Sequence, residues 1–137
     1  MVTRILLIED DRSQARLLEK QLIRLEMEVV VVDRGEEALR CLDGGLVPDL
    51  VLLDLGLPSI SGFRVCESFK TDPRTEKVPV LVITARTSVS DHSYALEAGA
   101  DAFLQKPFKF KELEDQIRAL LASDRRLGDR RHGEKPR

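Results

Sequence analysis

Apolar and polar positions alternate in blocks along the chain. Ile5-Leu6-Leu7-Ile8 runs straight into Glu9-Asp10-Asp11, and Leu50-Val51-Leu52-Leu53 into Asp54, with Gly56 and Pro58 beyond. Val78 to Ile83 ends at Thr84-Ala85, and Asp101 to Gln105 ends at Lys106-Pro107; Glu28 to Val32 is a fifth, β-branched run. An unbroken apolar run bounded by turn formers reads as a strand buried on both faces, in the middle of a parallel sheet.

Between these runs the apolar spacing is helical. Ala15, Leu17, Leu18, Leu22, Ile23 and Leu25 recur on one stretch, with Ser13 as a plausible N-cap. Gly35 opens a second helix with Ala38, Leu39 and Leu42 inward, and Gly44-Gly45 ends it. Phe63, Val65, Cys66 and Phe69 line a third, which Thr71-Asp72-Pro73 breaks. A fourth spans about Val89 to Ala98 and closes at Gly99. The last runs from Phe108 to Ala122, with Leu113, Ile117, Leu120 and Leu121 inward. Five strand–helix alternations predict an α/β fold, a parallel sheet with helices on both faces joined by right-handed crossovers. No internal repeat or second domain shows. Residues 1–122 read as one domain and 123–137 as a solvated basic tail or linker.

Composition refines this picture only slightly. The chain has 137 residues, no Trp and 4% aromatics, so aliphatic side chains must fill the interior. The net charge of −2 is unevenly spread: from Asp124 onward there are six Lys/Arg and three Asp/Glu, which leaves the body at −5. So short a basic arm, without aromatics or a recognition helix, does not suggest nucleic-acid binding. Cys41 and Cys66 have no metal-ligand spacing. No signal-peptide pattern appears, and no apolar run approaches the ~18–20 residues that span a bilayer. A reduced, cytoplasmic setting is the default expectation. His92 and His132 are isolated and expected at the surface, as is Tyr94 on its helix.

The chemistry gathers at the strand ends. Parallel strands bring Glu9, Asp10, Asp11, Asp54, Thr84 and Lys106 to one edge of the sheet. In a doubly wound five-stranded sheet of order 2-1-3-4-5, the switch point lies between strands one and three, where Glu9, Asp10 and Asp54 converge. Three carboxylates in one crevice call for a cation, and hard oxygen ligands with room for water suit Mg²⁺. A lysine and a hydroxyl on the other flank complete a pocket for an anionic group. Phosphoryl transfer needs this set, with Asp54 as acceptor. Each residue alone has a plainer reading: a solvated acidic turn, a strand-end hydroxyl, a surface lysine. Those readings leave unexplained why the strand ends carry complementary groups.

In order, Glu9-Asp10, Leu-Leu-Asp54-Leu-Gly-Leu-Pro58 with Gly62, Ile-Thr84-Ala85 and Lys106-Pro107-Phe108 resemble the receiver domain of two-component response regulators, which has a flavodoxin-like fold. The gaps match as well: 44 residues from Asp10 to Asp54, 30 to Thr84 and 22 to Lys106. The resemblance covers about Thr3 to Ala122. It implies that Asp54 accepts a phosphoryl group from a histidine kinase, a phosphotransfer protein or a small phosphodonor. It implies that Glu9, Asp10, Asp54 and the Gly56 backbone carbonyl hold Mg²⁺. Lys106, Thr84 and Ala85 would bind the phosphoryl group, Phe103 would turn inward behind Thr84, and the Lys106–Pro107 bond would be cis. The signal would leave through the fourth helix, fifth strand and fifth helix toward a partner or an output domain. A phosphorylation-dependent homodimer on that face would use Asp101 and Arg118, although Tyr94 stands where an Arg is common.

Departures from the commoner pattern carry consequences. Glu9 replaces Asp at the first acid, so metal contact through water is favoured. Phe103 replaces Tyr and cannot hydrogen-bond outward. Gly56 offers no shield to the phosphoryl group, whereas Arg86 is long enough to reach over it. Three rival readings remain. A dehalogenase-like phosphatase needs an acid two residues after the nucleophile, where Gly56 stands. An FMN carrier needs a phosphate loop where this chain has acids. A phosphate-independent adaptor would have no use for both Asp54 and Lys106. Such a domain is not an enzyme beyond catalysing its own phosphorylation and dephosphorylation.

Overall fold

The computed structural model describes residues 2–56, 61–85 and 89–123, with 89–92 described by backbone alone. Pro58, Arg86, the His92 side chain and the basic tail with His132 lie outside the described residues. The chain alternates β1 (Arg4–Ile8), α1 (Arg12–Arg24), β2 (Glu28–Val32), α2 (Gly35–Asp43), β3 (Leu50–Asp54), α3 (Gly62–Thr71), β4 (Val80–Thr84), α4 (Val89–Glu97), β5 (Ala102–Gln105) and α5 (Phe110–Ala122). The strands form one parallel sheet in the order β2-β1-β3-β4-β5, as the sequence predicts. Ile8 pairs with both Val32 and Leu53, and Asp54 pairs with Ile83. The strand ends are therefore level on one edge, and the strand order reverses between β1 and β3, β2 lying to one side of β1 and β3 to β5 to the other.

Strand alternation sorts the core into two layers. Leu6, Ile8, Val51, Leu53, Val80 and Val82 face α2, α3 and α4, where Ala38, Leu42, Val65, Cys66, Phe69 and Ala95 meet them. Ile5, Leu7, Leu50, Leu52, Leu81 and Ile83 face α1 and α5, against Ala15, Leu18, Leu22, Leu113 and Ile117. β1, β3 and β4 are sealed on both faces, which is why they read as unbroken aliphatic runs. β2 is an edge strand and stays half-exposed despite its valines.

The structure corrects several sequence expectations. The cap of α1 is Asp11, not Ser13: its side chain accepts from the Gln14 N–H at 3.1 Å. Leu17 and Ile23 are exposed at 58% and 53%, because only Ala15, Leu18 and Leu22 fall on the stripe facing the sheet. β4 starts two residues late, since Pro79 has no N–H for the ladder and contributes only its carbonyl, which accepts from Val51. α5 starts at Phe110, where the Glu112 carboxylate accepts from the Lys109 N–H at 2.9 Å. Gly62 seats α3 hard against the end of β3: a Cβ there would lie 2.9 Å from the Leu55 Cα.

Candidate functional site

The level strand ends build one cleft. It encloses about 290 Å³ and is lined by Glu9, Asp10, Asp11, Gln14, Asp54, Gly56, Thr84, Ala85 and Lys106. Glu9 follows β1 directly, and its N–H donates to the Val32 carbonyl, which ties it to the sheet. Asp54 and Thr84 are the last residues of β3 and β4, and Lys106 follows β5 with its N–H on the Thr84 carbonyl at 2.8 Å. Glu9, Asp54 and Thr84 are buried, whereas Asp10 is exposed at the rim.

Lys106 holds the cleft together. Its ammonium donates to Glu9 Oε1 at 2.8 Å, to Asp54 Oδ2 at 3.0 Å and to Gln14 Oε1 at 2.6 Å. The other Asp54 oxygen, Oδ1, accepts from the Gly56 N–H at 2.8 Å. The second Glu9 oxygen accepts from the Asp11 N–H at 3.2 Å. Burial pushes the Glu9 carboxyl above its usual range, and the Asp54 charge adds to this against the opposing pull of Lys106. Burial opposes the Lys106 charge too, but its hydrogen bonds to Glu9 and Asp54 outweigh that and leave its pKa raised. The cleft thus gathers negative charge that one lysine only partly offsets.

Glu9, Asp10 and Asp54 can each point one carboxylate oxygen so that all three lie within 4.8 Å of one another. Such an all-oxygen set, open to water on the Asp10 side, fits a hard divalent cation. Phe103 does not line the cleft. It is half-buried on β5, paired with Val82, and packs against the α2–α3–α4 layer. Pro107 faces a neighbouring groove, and its bond to Lys106 is cis. Asp101 and Arg118 both have partners within the chain: Lys70 and the Val80 N–H for Asp101, Glu114 for Arg118. Tyr94 is exposed as expected, and its ring packs edge-on against Phe63 at 5.8 Å. Gln14 was not legible as a site residue; its only signal is its place four residues after Asp10, on the first turn above the acids.

A doubly wound sheet with an acid-lined cleft and one lysine at its switch point defines a class, and comparison with known proteins resolves it. The profile of the response regulator receiver domain matches residues 5–118. The chain belongs to that family of two-component signalling proteins. It is 38% identical over 126 residues to the DNA-binding dual master transcriptional regulator RpaA of Synechocystis, covering 90% of this chain and 51% of that protein. It is 41% identical over 121 residues to the DNA-binding response regulator MtrA of Mycobacterium leprae, covering 88% of this chain and 52% of MtrA. The chain thus spans about half the length of these curated relatives. Among solved structures, the receiver domain of a sensor histidine kinase from Pseudomonas aeruginosa superposes with a TM-score of 0.82 at 28% identity, covering 90% of this chain and all of that one. That structure holds a magnesium ion coordinated in its active-site cleft. The BeF3-activated N-terminal receiver domain of RstA from Klebsiella pneumoniae matches with a TM-score of 0.77 at 30% identity, over 87% and 98% of the two chains.

Proposed function

We propose that Asp54 is the phosphoacceptor of a phosphorylation switch. The supporting observation is the three-way hold of Lys106 on Asp54, Glu9 and Gln14 inside a cleft rimmed by Asp10. Asp54 Oδ2, the oxygen facing Lys106, attacks phosphorus. With a phosphohistidine donor the P–N bond breaks and the imidazole leaves as it takes a proton; with acetyl phosphate the P–O bond breaks and acetate leaves. Lys106 then pairs with a phosphoryl oxygen, and the Gly56 N–H fixes the other carboxylate oxygen so that the attacking one is aimed. Glu9, Asp10, Asp54 and the Gly56 carbonyl would hold Mg²⁺, which supplies charge neutralisation for the incoming phosphoryl group.

Readout follows from where the charge arrives. A phosphoryl group on Asp54 offers new acceptors to Thr84, and Ala85 gives its backbone to the same end of the cleft. Movement of Thr84 leaves room for Phe103 to turn inward, which changes the α4–β5–α5 face presented to a downstream protein or output domain. A protein donor must dock beside the cleft. An apolar groove lined by Leu17, Leu18, Pro107, Phe108 and Phe110 adjoins it, and Gln14, Ala85 and Lys106 line both. That continuity suits a histidine-bearing donor such as a sensor kinase. Residues 1–122 form the switch and 123–137 a basic tail or linker, and both free thiols suit the reducing cytoplasm.

Acetyl phosphate with Mg²⁺, followed by intact mass, tests the reading. A labile phosphoryl adduct that disappears in Asp54→Ala is expected. The absence of any adduct would leave a phosphate-independent adaptor as the better account.

A further inference from the structure

We propose that Gln14 is a positioning residue that keeps the Lys106 ammonium aimed across the cleft once a divalent cation has taken the acids. The inference rests on the phosphoacceptor reading and adds a residue to it. An ammonium has three N–H donors and no acceptor. Lys106 directs these donors to Glu9, Asp54 and Gln14, and the Gln14 contact is the shortest at 2.6 Å. Because lysine only donates, the Gln14 side chain must face it through its carbonyl oxygen.

The three partners differ in what a metal does to them. Glu9 and Asp54 are carboxylates of the acid cluster, so a bound dication competes with Lys106 for the same oxygens and repels its charge. Gln14 is neutral and lies outside that cluster, so its hold survives.

The fold also holds Gln14 in place. The Gln14 N–H donates to Asp11 Oδ1 at 3.1 Å, the Asp11 N–H donates to Glu9 Oε2 at 3.2 Å, and Lys106 closes the circuit onto Glu9 Oε1. One hydrogen-bonded ring therefore joins the start of α1 to the end of β5. Within it, Gln14 is the member free to stay on Lys106 when the acids turn to a cation.

The test compares wild type with Gln14→Met, which keeps the length of the side chain and exchanges the amide oxygen for a thioether, a far weaker acceptor, and with Gln14→Glu, which supplies a strong, charged acceptor in its place. The Lys106 ammonium is observed by ¹⁵N NMR in saturating Mg²⁺ with no phosphodonor, while the Asp10 and Gly56 amide shifts report metal binding. A slowly exchanging ammonium signal is expected in wild type and Gln14→Glu and is lost in Gln14→Met. In parallel, Asp54 modification by acetyl phosphate slows roughly tenfold in Gln14→Met, the size of one charge-assisted hydrogen bond. Equal ammonium signals in wild type and Gln14→Met, or an unchanged or faster rate, overturn the proposal. Failure of wild type itself to take phosphate counts against the phosphoacceptor reading instead, and the ammonium comparison still decides the role of Gln14.

Discussion

Replacing Lys106 with Met should destabilise the protein in a way that both acid and magnesium reverse. The substitution keeps the stem and removes the charge. It strands Glu9, whose side chain is 1% exposed, beside Asp54, whose side chain is 12% exposed, with no cation between them. Breaking a fully buried pair from one side costs about 3–5 kcal/mol. This cleft opens to water past Asp10, so about 2–3 kcal/mol is expected here. That corresponds to a Tm lower by roughly 6–15 °C for a domain of this size.

The sign of the pH dependence follows from Glu9. Its folded pKa already lies above the unfolded value, so it favours the folded state most below the unfolded pKa, and this is lost as pH rises through the folded one. Without Lys106 its hydrogen bond and its charge no longer lower that pKa, while burial and the Asp54 charge still raise it and only the Asp11 N–H still opposes them, so the window widens. Lys106 itself, raised in the fold, supports stability at neutral pH and loses that support only as pH climbs through its own raised pKa. Urea unfolding at pH 7 and near pH 4.5, with and without Mg²⁺, measures these effects. A large penalty at pH 7 that shrinks in acid and with metal is expected. A penalty near zero, or one indifferent to pH and Mg²⁺, refutes the electrostatic account of the cleft.

Three further outcomes follow. Glu26 has a left-handed backbone, φ 64, so Glu26→Gly should raise stability by about 0.5–1 kcal/mol in urea melts. A Cβ at Gly56 would sit 3.5 Å from Asp54 Oδ1 in ordinary contact, so Gly56→Leu should fold normally and lengthen the life of the phosphorylated form several-fold by crowding the attacking water; an unchanged decay in intact-mass time courses contradicts this. Leu17 is exposed beside the groove, so Leu17→Asp should slow transfer from a phosphohistidine donor while leaving the acetyl phosphate rate as it was.

The parallel sheet and the gathering of acids, hydroxyl and lysine on one edge were legible because both follow from strand ends, whereas the strand order came with the flavodoxin-like fold that the family resemblance implies. A sealed parallel strand advertises itself as an aliphatic run, and whatever residue ends it must lie on the site edge. Helix faces were harder to read. Leu17 and Ile23 fit an apolar pattern that spans more arc than the sheet covers, and only packing reveals which residues stay wet. The cap at Asp11 was hidden among three adjacent acids, each able to serve. Gln14 carried no signal beyond its spacing from Asp10, since its meaning depends on Lys106, ninety-two positions along the chain. Phe103 was placed correctly on its strand, but its packing against the α2–α3–α4 layer, outside the cleft lining, depends on the facing helices.

The most direct measurement localises the chemistry. The protein is exposed to acetyl phosphate and Mg²⁺, any acyl phosphate is reduced with borohydride, and peptides are mapped by mass. The account predicts reduction at Asp54 alone, lost when Mg²⁺ is chelated. Reduction at another carboxylate, or none in the presence of metal, contradicts it.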